Sequence, residues 1–223
     1  MTAVESGVSL EDRIARELEE DIIFGRLQPG ARLREDALLE RFGGTRHFIR
    51  AALTRLGQSG IVVVERNRGA SVRRFSPSDV LQVYEVREML LFQAALRIPL
   101  PVDPDLIASL TEINEQYGTC IAEGNLRAVH ELNDRFHEEI FSACPNAYLR
   151  KLVRDYMDLT LAIRATNLAN PDLLKASIEQ HRLMIQYLQG TDSWLLAQLC
   201  VDHVRSSKER YLNAALATEM SSR

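Results

Sequence analysis

The chain has 223 residues, which is enough for one large or two small domains that each bury a core. Its 46% hydrophobic and 26% charged residues are ordinary for a globular protein. Residues 1–13 are polar and lack the apolar segment of a signal peptide, and no apolar run is long enough to cross a bilayer. Cys120, Cys144 and Cys200 are odd in number and far apart. This predicts free thiols in a reducing cytoplasm, and it argues against a secreted or membrane protein.

Charge is distributed unevenly along the chain. The net charge is −4, but segment 22–74 contains eleven arginines, no lysine and four acidic residues, a net +7, so the remainder carries −11. A basic segment joined to an acidic one is typical of a DNA-binding unit attached to a body with another task.

The first predicted elements are helical. Apolar residues at four-residue steps predict an amphipathic helix over 10–24 that ends at Gly25. A turn at 28–30 precedes a short helix over 34–42, and two glycines at 43–44 form the next turn.

The third predicted helix has the most informative pattern. Thr45 is placed as its N-cap, with the hydroxyl accepting a backbone N–H. One narrow stripe is apolar and consists of Ile49, Ala52, Leu53 and Leu56. The side chains beside and opposite it are Arg46, His47, Arg50 and Thr54. Arginine can bind guanine edges or phosphates with two hydrogen bonds. The alternative is a solvated charged face.

A β-hairpin is predicted next, with strands at 61–64 and 70–73 and a turn at Asn67-Arg68-Gly69 in which Gly69 takes a positive φ. Its arginines, suited to phosphates or the minor groove, are Arg66, Arg68, Arg73 and Arg74. They could instead be charges that protect an edge strand. Helix, turn, arginine-bearing helix and basic hairpin together predict a winged helix-turn-helix DNA-binding domain over residues 1–75.

This region resembles the DNA-binding domain of GntR-family transcription regulators. The motifs are Gly25-x-Leu27-x-Pro29-Gly30-x-x-Leu33, Thr45-Arg46-x-x-Ile49-Arg50-x-Ala52-Leu53-x-x-Leu56, Gly60-Ile61 and Asn67-Arg68-Gly69-x-x-Val72. The family usually has Leu-Ala at Leu38-Leu39 and Ser-Arg-x-Pro at Thr45-Arg46-His47-Phe48; these departures bear on site preference more than on fold. The predicted DNA-binding residues are Arg34, Thr45, Arg46, His47, Arg50, Arg68 and Gly69.

Residues 76–78 are predicted to be a linker, and 79–223 a helical effector-binding and dimerisation domain without strands. We expect an antiparallel all-helical bundle, so the fold class is mainly α with one small hairpin. The predicted helices span 80–97, 104–117 with a stop at Gly118, 125–143, 146 to about 167, 172–189, and a last one capped by Thr191 that runs past Tyr211.

Three histidines lie where the bundle should be apolar. His181 interrupts the stripe of its helix, His203 that of the last helix, and His137 follows Asn133 by one turn. Facing helices of a bundle can assemble metal sites, and neutral imidazole suits zinc or nickel. Three hydrogen-bonded core histidines are the alternative. His130 is assigned to the surface or to the surroundings of such a site.

A second resemblance is to the FCD effector domain of the FadR subfamily. It rests on Tyr84-Glu85-Val86-Arg87, Asn133-x-x-Phe136-His137, Asn146, Glu179-x-His181-Arg182 and His203. It implies that a divalent metal ion, most plausibly zinc or nickel, is held by Asn133, His137, His181 and His203. Asp134 points about 100° away on a helix and is a poor substitute for Asn133. The resemblance also places Arg87 in the effector pocket, where it would hold a carboxylate; an ion pair within the bundle is the alternative.

The sequence thus predicts a cytoplasmic, nucleoid-associated transcription regulator rather than an enzyme. We expect a homodimer that represses from a palindromic operator and is released by a small carboxylic acid bound at a metal-containing pocket. One alternative is a metal-dependent hydrolase fused to a DNA-binding head. Another is a structural DNA-binding protein with an inert bundle.

Overall fold

The computed structural model describes residues 9–65 and 69–221. Arg66 of the predicted arginine cluster and the predicted turn residues Asn67 and Arg68 lie outside these ranges. The chain forms two compact units, one comprising Met1–Phe75 with Asp158–Ala162 and the other Ser76–Met157 with Ile163–Arg223. Within the described ranges no helix is long and apolar enough to span a membrane.

The first unit has three helices and three short strands. Ser9 caps the first helix, because its Oγ accepts a hydrogen bond from the Asp12 amide at 3.1 Å. The elements are α1 (Leu10–Ile23), β1 (Arg32–Leu33), α2 (Glu35–Phe42), α3 (Arg46–Gln58), β2 (Val62–Glu65) and β3 (Gly69–Val72).

The strands form an antiparallel sheet in the order β1-β3-β2. Ser71 of β3 is opposite Arg32 on one side and Val63 on the other. The predicted hairpin is therefore present, and Gly69 has φ 87° as expected. Strand β1 was not predicted, because two residues are too few to show an alternating pattern.

The core of this unit confirms the apolar stripe of α3. All four of its members, Ile49, Ala52, Leu53 and Leu56, are buried together with Ile14 and Leu18 of α1. Thr45 is the N-cap residue, but its side chain makes no capping hydrogen bond, so that part of the prediction is wrong. The backbone oxygen of Thr45 instead accepts the amide of Phe48 at 3.1 Å.

Apart from residues 158–162, which belong to the first unit, the helices after Ser76 make up the described regular structure of the second unit. Its first helix begins at Pro77, so two of the three residues that were predicted as a linker belong to this helix. The side chains of Ser76 and Asp79 form a capping box at its N-terminus. The helices are α4 (Pro77–Ala95), α5 (Pro104–Glu123), α6 (Leu126–Ser142), α7 (Ala147–Leu159), α8 (Leu161–Arg164), a 3-10 helix (Ala165–Ala169), α9 (Pro171–Leu188) and α10 (Ser193–Ser221). Helix α4 packs on α10, α5 on α6 and α9, and α9 on α10.

Three predicted boundaries of these helices are wrong. Helix α5 continues through Gly118, where a Cβ would be 3.7 Å from Ile178, and ends before Gly124, which has φ 69°. The predicted helix from 146 to 167 is broken after Leu159, where Arg164 Nε donates to the Met157 carbonyl at 3.3 Å.

The third boundary is the start of α10. The cap is Asp192 rather than Thr191, because Asp192 Oδ1 accepts the amide of Leu195 at 3.0 Å. Threonine and aspartate are both favoured at helix N-caps, so the sequence alone could not show which of the two residues caps α10.

Candidate functional site

Most of the predicted DNA-binding side chains belong to α3 or to its N-cap residue, and Arg34 is the N-cap residue of α2. Arg34, Thr45, Arg46, His47 and Arg50 are all exposed. The side chains of Arg46 and Arg50 are 56% and 65% exposed, so both guanidinium groups can reach a ligand in solution.

These arginines are held by acidic side chains of α2, a contact that the sequence did not predict. Glu35 Oε1 accepts from Arg50 Nε at 2.8 Å, and Glu35 Oε2 from Arg46 Nη1 at 3.4 Å. Asp36 Oδ1 accepts from Arg46 Nη2 at 2.6 Å. The hydrogen bond from Arg50 is the largest cause of the lowered pKa of Glu35, which therefore stays charged. The sequence places both acids in the first turn of α2, but their spacing along the chain does not show that they contact the arginines of α3.

The predicted arginine cluster of the hairpin is only partly described. Arg73 Nε donates to the Gly60 carbonyl, and its guanidinium lies 5.7 Å from the ring centroid of Phe75. Arg73 thus has a structural role that the prediction of a phosphate contact did not include.

The three predicted histidines meet in the second unit. One ring nitrogen from each of His137, His181 and His203 lies within 4.8 Å of the other two. The Nε2 atoms of His137 and His203 are 3.0 Å apart. Helices α6, α9 and α10 each supply one ring, and the His181 ring stacks on Phe136 with 3.9 Å between centroids.

Two amide side chains determine which ring nitrogens face the cluster. Gln180 Oε1 is 2.7 Å from Nδ1 of His203, and Asn114 Oδ1 is 3.2 Å from Nδ1 of His181. Because Gln180 Oε1 and Asn114 Oδ1 can only accept, both Nδ1 atoms carry the proton and both Nε2 atoms present a lone pair. Neither amide was predicted.

Burial is the main cause of lowered pKa values at all three histidines. The pKa of His203 falls to about 4, and those of His137 and His181 fall well below their ordinary value of 6.5. The rings are therefore neutral at pH 7. Three neutral imidazoles with converging ring nitrogens, two of them with Nδ1 held by an amide oxygen, are a donor set that fits a divalent ion such as zinc or nickel.

Asn133 borders the same cavity as His137 and His203. Its Nδ2 donates to Asp134 Oδ1 at 3.2 Å, so the amide oxygen is the atom available to a cation. Asp134 itself is occupied, since Arg164 donates to it at 2.5 and 3.0 Å. Burial alone would raise the pKa of Asp134, but Arg164 lowers it to about 2.

His130 lies beside this ion pair rather than in the histidine cluster. Its Nε2 is 3.6 Å from Asp134 Oδ2, and burial is the main cause of its lowered pKa. This position agrees with its assignment to the surroundings of the site.

A cavity of about 110 Å³ adjoins the histidines. Arg87 borders it and is 4% exposed. Its Nε and Nη1 have no hydrogen-bond partner within the described ranges. Burial lowers the pKa of Arg87 to about 10, so it remains a cation at pH 7. A buried cation with two unused donors is suited to an anionic ligand, and no ion pair between Arg87 and an acid of the bundle occurs within the described ranges.

The first unit is a winged helix-turn-helix with an arginine-bearing third helix, and the second is a helical domain with a cation and three histidines around a cavity. Such a pair of units defines a DNA-binding transcription regulator. Residues 10–72 match the family described as bacterial regulatory proteins, gntR family, and residues 82–206 match the FCD domain. The chain belongs to the GntR family of transcription regulators, in its FCD-containing subfamily. These proteins are regulators and not enzymes, which removes the hydrolase alternative.

Individual relatives agree with this. The chain is 26% identical over 196 residues to the uncharacterized HTH-type transcriptional regulator YdhC of Bacillus subtilis, covering 84% of each chain. It is 25% identical over 194 residues to the gluconate operon transcriptional repressor of the same organism, covering 83% of this chain and 78% of the repressor. The structure of Escherichia coli McbR/YncC has a similar fold, with a TM-score of 0.73, 20% identity and coverage of 96% and 100%.

Proposed function

We propose that this regulator is a repressor that a small carboxylic acid releases from a palindromic operator in the cytoplasm. The observation that carries the proposal is Arg87, a buried cation whose Nε and Nη1 lack partners among the described residues beside a cavity. The carboxylate of the effector would accept from these two donors. In this proposal residues 1–75 bind the operator and 79–223 bind the effector.

The histidines would hold a divalent ion, with Asn133 as a fourth ligand. Zinc or nickel fits the neutral imidazoles best, and a bound ion would supply a positive charge near the effector's carboxylate. An uncharged amide oxygen binds a cation less tightly than a carboxylate does. We therefore expect the ion to be partly lost during purification with chelator and to be restored by added zinc or nickel.

On DNA, the exposed face of α3 would enter the major groove. Arg46 and Arg50 would contact bases or phosphates, with support from Thr45, His47, Arg34 and the turn residues Arg68 and Gly69. A single helix contacts too few bases to specify an operator, so we propose a homodimer that binds two half-sites.

Exposed apolar residues of the second unit are the candidate surface for that dimer. Leu81 and Met89 lie on one side of α4 and are 54% and 55% exposed. Trp194 of α10 is 56% exposed, and its ring centroid is 6.5 Å from that of Phe92. A second copy of the chain would cover these side chains.

The experiment starts with thermal-shift measurements on the purified protein with a panel of organic acids, with and without zinc. The acid with the largest shift is then tested for release of a DNA site selected by the protein from a random library. Arg87→Met should abolish release but keep the metal. His181→Ala should lose both metal and release, while DNA affinity without acid stays within about twofold, because the DNA-binding side chains are in the other unit.

Two further variants serve as controls for the His181→Ala result. His181→Gln keeps most of the side-chain volume and separates metal loss from a cavity in the core. His130→Gln is the matched control, since its ring contacts Asp134 and not the cluster; it should retain metal. If His181→Gln kept full metal occupancy, or lost metal and still responded to acid, the histidines would be core residues only. If Arg87→Met responded normally, the effector site would be elsewhere.

A further inference from the structure

A second polar group borders the Arg87 cavity and has the opposite hydrogen-bonding character. Asn167, in the 3-10 helix, has a buried Oδ1 with no hydrogen-bond partner in the part of the chain that the structure describes. A buried acceptor without a partner costs about 1–3 kcal/mol of stability, so it is expected to be satisfied when the site is in use.

The orientation of this amide follows from its neighbours. Ser206 Oγ donates to the His203 carbonyl at 3.2 Å, which uses the only hydroxyl proton of Ser206. Asn167 Nδ2 lies 3.2 Å from the same Oγ and must therefore donate to it. In this arrangement Oδ1 is the end of the amide that is left without a partner.

The cavity thus presents unused donors on Arg87 and an unused acceptor on Asn167. A simple carboxylate satisfies only the first. We propose that the effector is a hydroxycarboxylic acid, whose carboxylate binds Arg87 and whose hydroxyl donates to Oδ1 of Asn167. This rests on the proposed function, because it assumes that Arg87 holds the effector's carboxylate.

An amino acid also carries a donor, but the charges around the cavity disfavour it. Arg87 and Arg164 are both cations that border it. The half-buried carboxylate of Asp134 lies beside them, but it already accepts two hydrogen bonds from Arg164. An ammonium group would be desolvated without a counter-charge of its own, whereas a hydroxyl carries no charge.

The test compares acids that differ only at one group. Calorimetric titration of the full-length, zinc-supplemented protein would use lactate, propionate and alanine, and then malate, succinate and aspartate. Each hydroxy acid should bind about tenfold more tightly than its deoxy and amino counterparts, because the deoxy acid has no donor for Oδ1 and the amino acid adds an ammonium charge without a counter-charge. Asn167→Leu should remove this preference and leave the affinity for the deoxy acid within about threefold.

Controls separate this inference from the proposed function. Asn167→Ala, which also removes the acceptor, replaces Asn167→Leu if the latter does not fold, and Asn213→Leu, at an exposed position of α10, should change nothing. If hydroxy and deoxy acids bind equally, or if the preference survives in both Asn167 variants, the hydroxyl inference is wrong while the Arg87 site stands. If no acid of either series binds, the proposed function is wrong and this inference fails with it.

Discussion

Oε1 of Gln180 lies 2.7 Å from Nδ1 of His203, while Nε2 of the same ring is 3.0 Å from Nε2 of His137. Gln180 thereby fixes both the tautomer and the orientation of a ring that is buried among other histidines. Partners of this kind are what hold metal-binding imidazoles in position in other proteins. Gln180 is therefore a positioning residue and does not itself face the cluster.

Gln180→Leu should weaken zinc binding by about 10- to 100-fold, because the His203 ring loses the acceptor that fixes it. Competition with a coloured chelator measures this directly on the purified protein. Gln180→Glu, which keeps an acceptor, should restore most of the affinity. Gln186→Leu, at an exposed position on the same helix, is the matched control. Unchanged zinc affinity in Gln180→Leu would show that packing alone orients His203.

The DNA-binding arginines give a second prediction, which concerns specificity. Arg50→Ala should reduce affinity for the selected DNA site by about 10- to 100-fold if Arg50 makes a two-hydrogen-bond contact to guanine. Wild-type affinity should also fall steeply with salt. Electrophoretic mobility shifts over a series of salt concentrations measure both. Wild-type affinity in an Arg46→Ala/Arg50→Ala double variant would show that α3 is not the recognition helix.

Glu35 supplies a finer test of the same surface. It accepts hydrogen bonds from both Arg46 and Arg50, so Glu35→Gln removes a negative charge and loosens two side chains at once. We expect tighter binding to random DNA and a smaller ratio of specific to non-specific affinity. Glu40→Gln removes the same charge from an exposed position of α2 and controls for net charge. An equal loss of specificity in both variants would contradict a positioning role for Glu35.

Much of this molecule could be predicted from its sequence, because periodic apolar stripes determine helices and buried faces. The stripe of α3 and the inward position of His137, His181 and His203 follow from such patterns, whereas the resemblance to the FCD domain implied that these histidines converge on one site. The contacts of Gln180 and Asn167 could not be predicted. They depend on which polar side chain of one helix meets a neighbouring helix, and spacing along the chain contains no information about that. The break after Leu159, next to which Arg164 donates to the Met157 carbonyl, could not be predicted from the spacing either.

Asp21 is the basis of a stability prediction for the first unit. Its carboxylate is 3% exposed and accepts from Arg26 at 2.5 Å and also from Arg41. Burial would raise the pKa of Asp21, but the two arginines outweigh it and lower the pKa below 3.8. Asp21→Asn should therefore lower the free energy of unfolding by about 1–3 kcal/mol at pH 7.

The pH dependence of this effect has a definite sign. Because the folded-state pKa of Asp21 is depressed, its contribution is fully present above the unfolded-state pKa and is lost as pH falls below about 4. Urea unfolding followed by circular dichroism should show the difference between wild type and Asp21→Asn shrinking from pH 7 to pH 3. Glu17→Gln, at a half-exposed carboxylate 3.8 Å from Arg41, should have little effect. A difference that is constant with pH would show that the charge on Asp21 does not contribute.

The last prediction concerns the apolar side of α4. In the proposed homodimer Met89 is covered by a second copy, so Met89→Asp would bury a charge without a partner and should dissociate the dimer at micromolar concentration. Sedimentation velocity would then show a monomer. The monomer should bind a single half-site much more weakly than the dimer binds the full palindrome, because the two DNA-binding units are no longer linked.

Tyr148→Asp is the matched control, since Tyr148 of α7 is 85% exposed and apolar but far along the chain from α4. If Tyr148→Asp dissociates the protein and Met89→Asp does not, the interface includes α7 instead. A monomeric wild-type protein, both free and on DNA, would contradict the homodimer itself.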